Sequence, residues 1–234
     1  MARYFRYGKL AGAAVLTVAA LALLSSDRTL AQGQPPGGAP APGARAGTPP
    51  PDPTKPHRLD VAPGTKARYK VREQLAGIDF PSDAVGGTEA ITGVLIVKPD
   101  GTFDPTSKLT VDLKTLSSDQ SMRDGYLQRN TLETEKFSTM TLVPKRATGL
   151  AAPLPATGQA GFRLVSDLTL HGVTKEVTWT VVSTFGHDAI AGRATTTTDF
   201  ATFNMTKPTL ARLLSVDDKI ELEVEFRFKR SVVP

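Results

Sequence analysis

Polar and apolar residues alternate most strictly at the end of the chain. Ile220, Leu222, Val224, Phe226 and Phe228 take every second place, and Glu221, Glu223, Glu225, Arg227 and Lys229 fill the gaps. A period of two held over this length predicts a strand with one buried and one wet face; a helix would spread those charges around its axis. Upstream, Ala67, Tyr69 and Val71 alternate with Arg68, Lys70 and Arg72, and Leu109, Val111 and Leu113 alternate with Lys108, Thr110, Asp112 and Lys114. Residues 90–98 are apolar on both faces, with Gly93 at a place suited to a bend or bulge. A shorter strand covers 139–145 and meets Pro144. Phe162, Leu164, Leu168 and Leu170 share a face interrupted by Ser166, and Val177, Trp179 and Val181 share the next. Gly186-His187-Asp188 supplies a turn, and the threonine-rich run 189–199 returns from it.

These segments make eight strands. Joined mostly by short turns, they predict an up-and-down antiparallel barrel or a sandwich. Closure into a barrel removes the sheet edges that such threonine-rich strands would otherwise expose. Eight is also the strand number whose interior is either filled by side chains or holds one small ligand. Two places break the strand pattern. Ser117-Ser118-Asp119 precedes Met122, Tyr126 and Leu127, a serine cap and spacing that predict a short helix over 119–130. Lys207-Pro208 precedes Leu210, Leu213 and Leu214, which predicts one or two helical turns before the last strand.

The N-terminus follows a different rule. Arg3, Arg6 and Lys9 precede an uncharged run from Leu10 to Leu24, and Thr29-Leu30-Ala31 places small residues before a cleavage point. This is the layout of a secretory signal over 1–31, and the apolar run is short of the roughly 20 residues a spanning helix needs. An uncleaved anchor is the alternative, and either leaves the domain periplasmic or secreted. Proline, glycine and alanine dominate the following stretch, which reads as an extended, solvated linker over 32–58. The folded domain is then expected over 59–234.

Composition narrows the chemistry. Of 234 residues, none is cysteine, so disulfides, thiolate metal sites and a cysteine nucleophile are excluded. The formal charge is +5, but taking the four basic residues and one acidic residue of 1–31 from totals of 28 and 23 leaves only 24 against 22. That slight excess gives no electrostatic case for a nucleic-acid partner. The three histidines, His57, His171 and His187, show no metal-ligand spacing, so no metal is expected and His171 reads as a turn residue bonded to backbone. G-x-S-x-G, Walker A and H-E-x-x-H are absent, so neither a catalytic set nor a cofactor site is indicated, and the chain does not read as an enzyme.

From Leu109 onward the chain resembles the YceI-like family of lipid-binding, lipocalin-like barrels. The resemblance is carried by LTVDLKTLSSD at 109–119, Arg123-Asp124-Gly125-Tyr126-Leu127, LETEKF at 132–137, and LTLHGVTK at 168–175 with Val177. It implies an extended eight-stranded antiparallel barrel with a short inserted helix, binding a long-chain isoprenoid or related amphiphile in an apolar interior. On that reading the cavity is lined by Phe162, Leu164, Leu168, Leu170, Val177, Trp179, Val181, Ile220, Leu222, Val224, Phe226 and Phe228. Periodicity alone fits a filled core equally well, in which case the domain is an interaction or stress-response module on a stalk. The shortage of aromatic residues, 6% of the chain, favours the hollow reading. Arg123 reads either as a structural pair with Asp124 that closes the helix onto the barrel, or as the contact for a phosphate-bearing head group. A homodimer is compatible with a barrel of this kind.

Overall fold

The computed structural model describes residues 49–233, within one unit spanning Gly47–Pro234. The segment read as a secretory signal, 1–31, and the part of the expected linker up to residue 48 lie outside the described residues.

The strands are β1 (His57–Val61), β2 (Lys66–Leu75), β3 (Ser82–Thr88), β4 (Ile91–Val97), β5 (Lys108–Asp112), β6 (Ser117–Ser118), β7 (Thr139–Thr148), β8 (Gly158–Leu170), β9 (Val173–Phe185), β10 (Ala189–Asp199) and β11 (Leu213–Val232). All pairings are antiparallel, and the sheet closes because β1 pairs with both β4 and β11. The eleven segments make eight staves. β1 and β2 run one after the other along β11, β1 against its end (His57↔Val232) and β2 against its earlier part (Val71↔Ile220). β3 pairs with β2 while β4 pairs with β1, so these two also form one stave. β5 and β6 form the third broken stave, on β4 and β3 respectively. The result is a closed, eight-stranded, up-and-down barrel.

Each break has a local cause. Between β1 and β2 the chain turns at Gly64, whose φ of 86° belongs to the region that glycine reaches without strain. The buried Thr65 hydroxyl then donates to Ala62 O and to Arg227 O, both at 2.9 Å, and accepts the Arg227 N–H at 3.0 Å. It thereby satisfies the β11 backbone where the ladder is interrupted. Between β3 and β4, Thr88 Oγ1 accepts the Ala90 N–H at 3.0 Å. At Gly93, where a bend or bulge was anticipated, the β4–β5 ladder runs on without a register shift, but φ is 129° and a Cβ would lie only 2.1 Å from Lys108 O, so the position requires glycine.

Four expectations need correction. The first strand opens at His57, inside the segment read as linker, because Leu59 pairs with both Arg230 and Leu95 and so completes the ring. The strand count holds only for staves: β3, β1 and β6 carry too little alternation to stand out alone. The inserted helix α1 (Ser121–Tyr126), continued by a π-helical turn Leu127–Thr131, begins after Gln120 without a side-chain cap. Ser118 instead donates to Asp124 Oδ1 at 2.6 Å, while its N–H meets Oδ2 at 3.0 Å. No helix forms after Lys207-Pro208; the only turn of helix nearby is Ala201–Phe203. Leu213 already pairs with Leu75 across β11 and β2, and ladder formation overrides the local i, i+3, i+4 spacing.

The barrel end formed by β1 and the close of β11 is capped. The loop 149–157 sends Leu154 inward, and Arg230 lies beneath it, 4% exposed and with no carboxylate partner among the described residues. Its guanidinium donates to Pro155 O at 2.7 Å, Gly186 O at 3.2 Å and His57 Nδ1 at 3.0 Å. Burial, then the nearby Arg230 charge, hold the His57 pKa below its ordinary 6.5. As pH falls past 6.5 the unfolded chain takes up this proton before the folded one, so stability present above 6.5 is lost below it. Thermal melts from pH 8 to 5 are expected to show this loss for the native chain and a flatter profile for His57→Gln. Parallel profiles would show that His57 does not titrate in this way.

Candidate functional site

The inward face is set by the period of two. On β2 it carries Ala67, Tyr69, Val71, Glu73 and Leu75; on β5 Leu109 and Val111; on β7 Met140 and Leu142; on β11 Ile220 to Arg230 at alternate places. Two cavities follow one another along this face. The larger, about 570 Å³, lies at the helix end of the barrel and is lined by Val71, Ala84, Val111, Met140, Leu170, Phe200, Ile220 and Leu222, among others. Its size falls within the roughly 300–1,000 Å³ usual for small-molecule sites. The smaller, about 90 Å³, sits toward the capped end, among Leu109, Leu142, Phe162, Trp179, Val224 and Phe228. The two share no lining residue.

The boundary between them falls between successive inward positions. Along β5, β7 and β11 the side chain two places on changes cavity, Val111 to Leu109, Met140 to Leu142 and Leu222 to Val224. Leu168, 0% exposed, lines neither. Trp179 is also 0% exposed, and its indole N–H donates to Ser166 Oγ at 3.0 Å. The serine that interrupts the apolar stripe of β8 is therefore the polar partner of the single tryptophan.

The residues read as cavity lining divide accordingly. Leu170, Ile220 and Leu222 line the large cavity. Phe162, Leu164, Trp179, Val181, Val224, Phe226 and Phe228 surround the small one. Leu168 and Val177 line neither. The large cavity also draws on residues that were not assigned to the lining from sequence, from β2, β3, α1 and the segment 205–213.

The large cavity opens at a rim of exposed apolar side chains. Ile78, Met122 (82% exposed) and Leu210 both line it and reach solvent, with Phe80 (79% exposed) and Leu214 close by in sequence. Its polar part centres on Arg123, which α1 projects inward, with a side chain 16% exposed. Arg123 Nη2 donates to Glu73 Oε1 and Nη1 to Asp119 Oδ1, each at 2.7 Å. The pair anticipated with Asp124 does not form, because Asp124 is engaged by Ser118. Burial disfavours the Arg123 charge, but Glu73 and Asp119 outweigh it and hold the pKa above the ordinary value. Glu73 could have been found by continuing the alternation of β2 two places past Val71, where a carboxylate occupies an inward position.

Tyr69, also inward, lies across Gly86 of β3, where a side chain would collide with its ring. Burial pushes its phenol up to about 12. Its hydroxyl is excluded from solvent and has no hydrogen-bond partner among the described residues, and the same is true of Thr131 Oγ1, where the helical segment ends. Both residues line the large cavity.

His171 occupies the β8–β9 turn with φ at 51°. Its ring nitrogens lie 3.1 Å from Phe203 O and 2.9 Å from Glu133 Oε2, and Phe137 meets the ring edge-on at 4.5 Å. It fastens the turn to the segment after the helix. Among the described residues, no three histidine or carboxylate side chains gather as a metal site.

A closed, eight-stranded antiparallel barrel with an apolar chamber open at one end belongs to the lipocalin-like class of ligand-binding barrels. Within that class the chain belongs to the YceI-like domain family, which matches residues 62–228. The fold is similar to that of a polyisoprenoid binding domain from Saccharophagus degradans implicated in plant cell wall breakdown, at 14% identity and a TM-score of 0.57 over 75% of this chain and 98% of that one. It is also similar to Burkholderia cenocepacia BcnA, at 15% identity and a TM-score of 0.55 over 72% of this chain and 99% of that one. A comparison with curated protein sequences finds no match.

Proposed function

We propose that this protein binds and carries a long-chain isoprenoid or related amphiphilic lipid in the large cavity, outside the cytoplasm. The observation that carries the reading is the chamber of about 570 Å³, apolar along most of its wall and open at the helix end. Each methylene withdrawn from water into such a chamber contributes about 0.8 kcal/mol, so an aliphatic tail binds without strong polar contacts. The domain family and the polyisoprenoid-binding relative support the lipid class. The extracytoplasmic location is supported by the N-terminal sequence alone. A filled-core interaction module fits the capped half of the barrel, but not the open half.

Native mass spectrometry of the protein purified from its own organism tests the proposal. Excess mass matching an amphiphile that organic solvent extracts is the expected result. Unliganded protein throughout, together with no uptake of added polyprenyl compounds, would overturn it.

A further inference from the structure

Four candidates remain once the apolar chamber is explained: the unpaired Arg230 under the capped end, the apolar rim, the His171 clasp, and the two unpartnered hydroxyls inside the chamber. Arg230 directs its donors to carbonyl oxygens and to His57, and is consumed by the cap. The His171 nitrogens are both engaged. The hydroxyls are not.

Buried polar side-chain atoms nearly always have a partner, and each exception calls for a reason. Among the described residues there are four exceptions: His57 Nε2 at the capped end, Ser183 Oγ in the lining of the small cavity, and Tyr69 OH and Thr131 Oγ1, which come from separate elements and both line the large one. Thr131 is 2% exposed and holds its hydroxyl in a largely apolar wall. Both groups are neutral donors. The charges acting on Tyr69 are one guanidinium, Arg123, and three carboxylates: Asp124, and the two that Arg123 already holds, Glu73 and Asp119. Their sum is negative, so a phosphate placed beside them would meet repulsion rather than a free cation.

Resting on the lipid-carrier reading, we infer that the chamber selects amphiphiles with an uncharged, hydrogen-bond-accepting head group, received by Tyr69 and Thr131, over those with a phosphate or diphosphate. Arg123 is on this account a positioning residue that ties α1 to β2 through Glu73, not an anion receptor. The opposing feature is Arg212, exposed and within the lining; a head group held there at the mouth would favour the anion.

Three probes with one tail separate these outcomes: geranylgeraniol, geranylgeranyl diphosphate and the corresponding hydrocarbon, each displacing a polarity-sensitive dye from the purified protein. The alcohol is expected to bind at least tenfold more tightly than the diphosphate. Tyr69→Phe and Thr131→Val are each expected to weaken the alcohol about fivefold, the worth of one hydrogen bond, and to leave the hydrocarbon unchanged. Since neither hydroxyl has a partner among the described residues, neither variant should lower the melting temperature. A diphosphate that binds as well as the alcohol overturns the inference, as does alcohol binding unaffected by both variants, or equal loss of alcohol and hydrocarbon. If none of the three probes binds, the carrier reading itself fails, and this inference with it.

Discussion

Ala84→Trp is expected to weaken lipid binding by about fiftyfold or more while the barrel stays folded. Ala84 lies on β3 opposite Val71, buried, with its methyl group facing the large cavity. In a filled core, inserting so large a side chain would cost about 1–3 kcal/mol or more in strain. Here the indole enters space that no side chain occupies, so a midpoint of thermal unfolding close to that of the native protein is expected. A tail denied room for three methylenes forfeits about 2.4 kcal/mol, which is the fiftyfold stated. Dye displacement gives the affinity and a thermal melt gives the stability. Binding at native strength in a folded variant would place the ligand elsewhere and remove the carrier reading.

The second large effect concerns stability alone. Trp179→Ala is expected to lower the unfolding free energy by about 4 kcal/mol or more. The truncation of a fully buried aromatic costs about 3–5 kcal/mol, and the Ser166 hydroxyl, which now accepts from the indole at 3.0 Å, would be left without its partner. Against a typical total of about 5–15 kcal/mol, that is a large fraction. Urea denaturation measures it. Trp179→Phe should cost less, and adding Ser166→Ala to Trp179→Phe should restore part of the loss, because both polar partners then disappear together. A double variant no better than the single would mean that the indole–hydroxyl contact contributes nothing. Lipid affinity at low temperature should change little, since Trp179 lines the other cavity.

Strands with one wet face announced themselves in the sequence. The run from Ile220 to Lys229 and the stripe through Val177, Trp179 and Val181 lie in β11 and β9, with the apolar positions inward. β1 and β3 were not legible in the same way. β1 has five residues, and β3 reads SDAVGGT, where two glycines erase the alternation. Its glycines make sense only in three dimensions, since Gly86 leaves room for the ring of Tyr69. Leu210, Leu213 and Leu214 carried helical spacing, and only the neighbouring β2 decides that Leu213 joins a strand.

The candidate site was legible to the same degree. Period two tells which residues face inward but not what they meet there. Leu222 and Val224 are indistinguishable by pattern, yet one borders the open chamber and the other the packed half. The choice between a hollow and a filled barrel was posed for the whole interior, whereas one half holds a cavity of about 570 Å³ and the other a cavity of about 90 Å³. Arg123, read as a structural pair with Asp124 or as a head-group contact, lines the chamber and pairs instead with Glu73, fifty positions away in sequence, where the alternation marks an inward carboxylate but not what it meets.

β11 is the longest strand, and it borders three others: β10 on one side, β1 and β2 on the other. A nascent chain that has reached Pro208 therefore holds every stave but one, with β10, β1 and β2 all missing the same neighbour. Because that neighbour follows every other stave in sequence, the ring shuts only once residues 213–232 have been made, and the contacts it makes with β1 are among the most distant between the described strands. Such a topology folds slowly compared with one built from local contacts. A ribosome-bound chain lacking residues 213–234 should stay sensitive to protease over β1 and β2, and should gain protection only after those residues emerge.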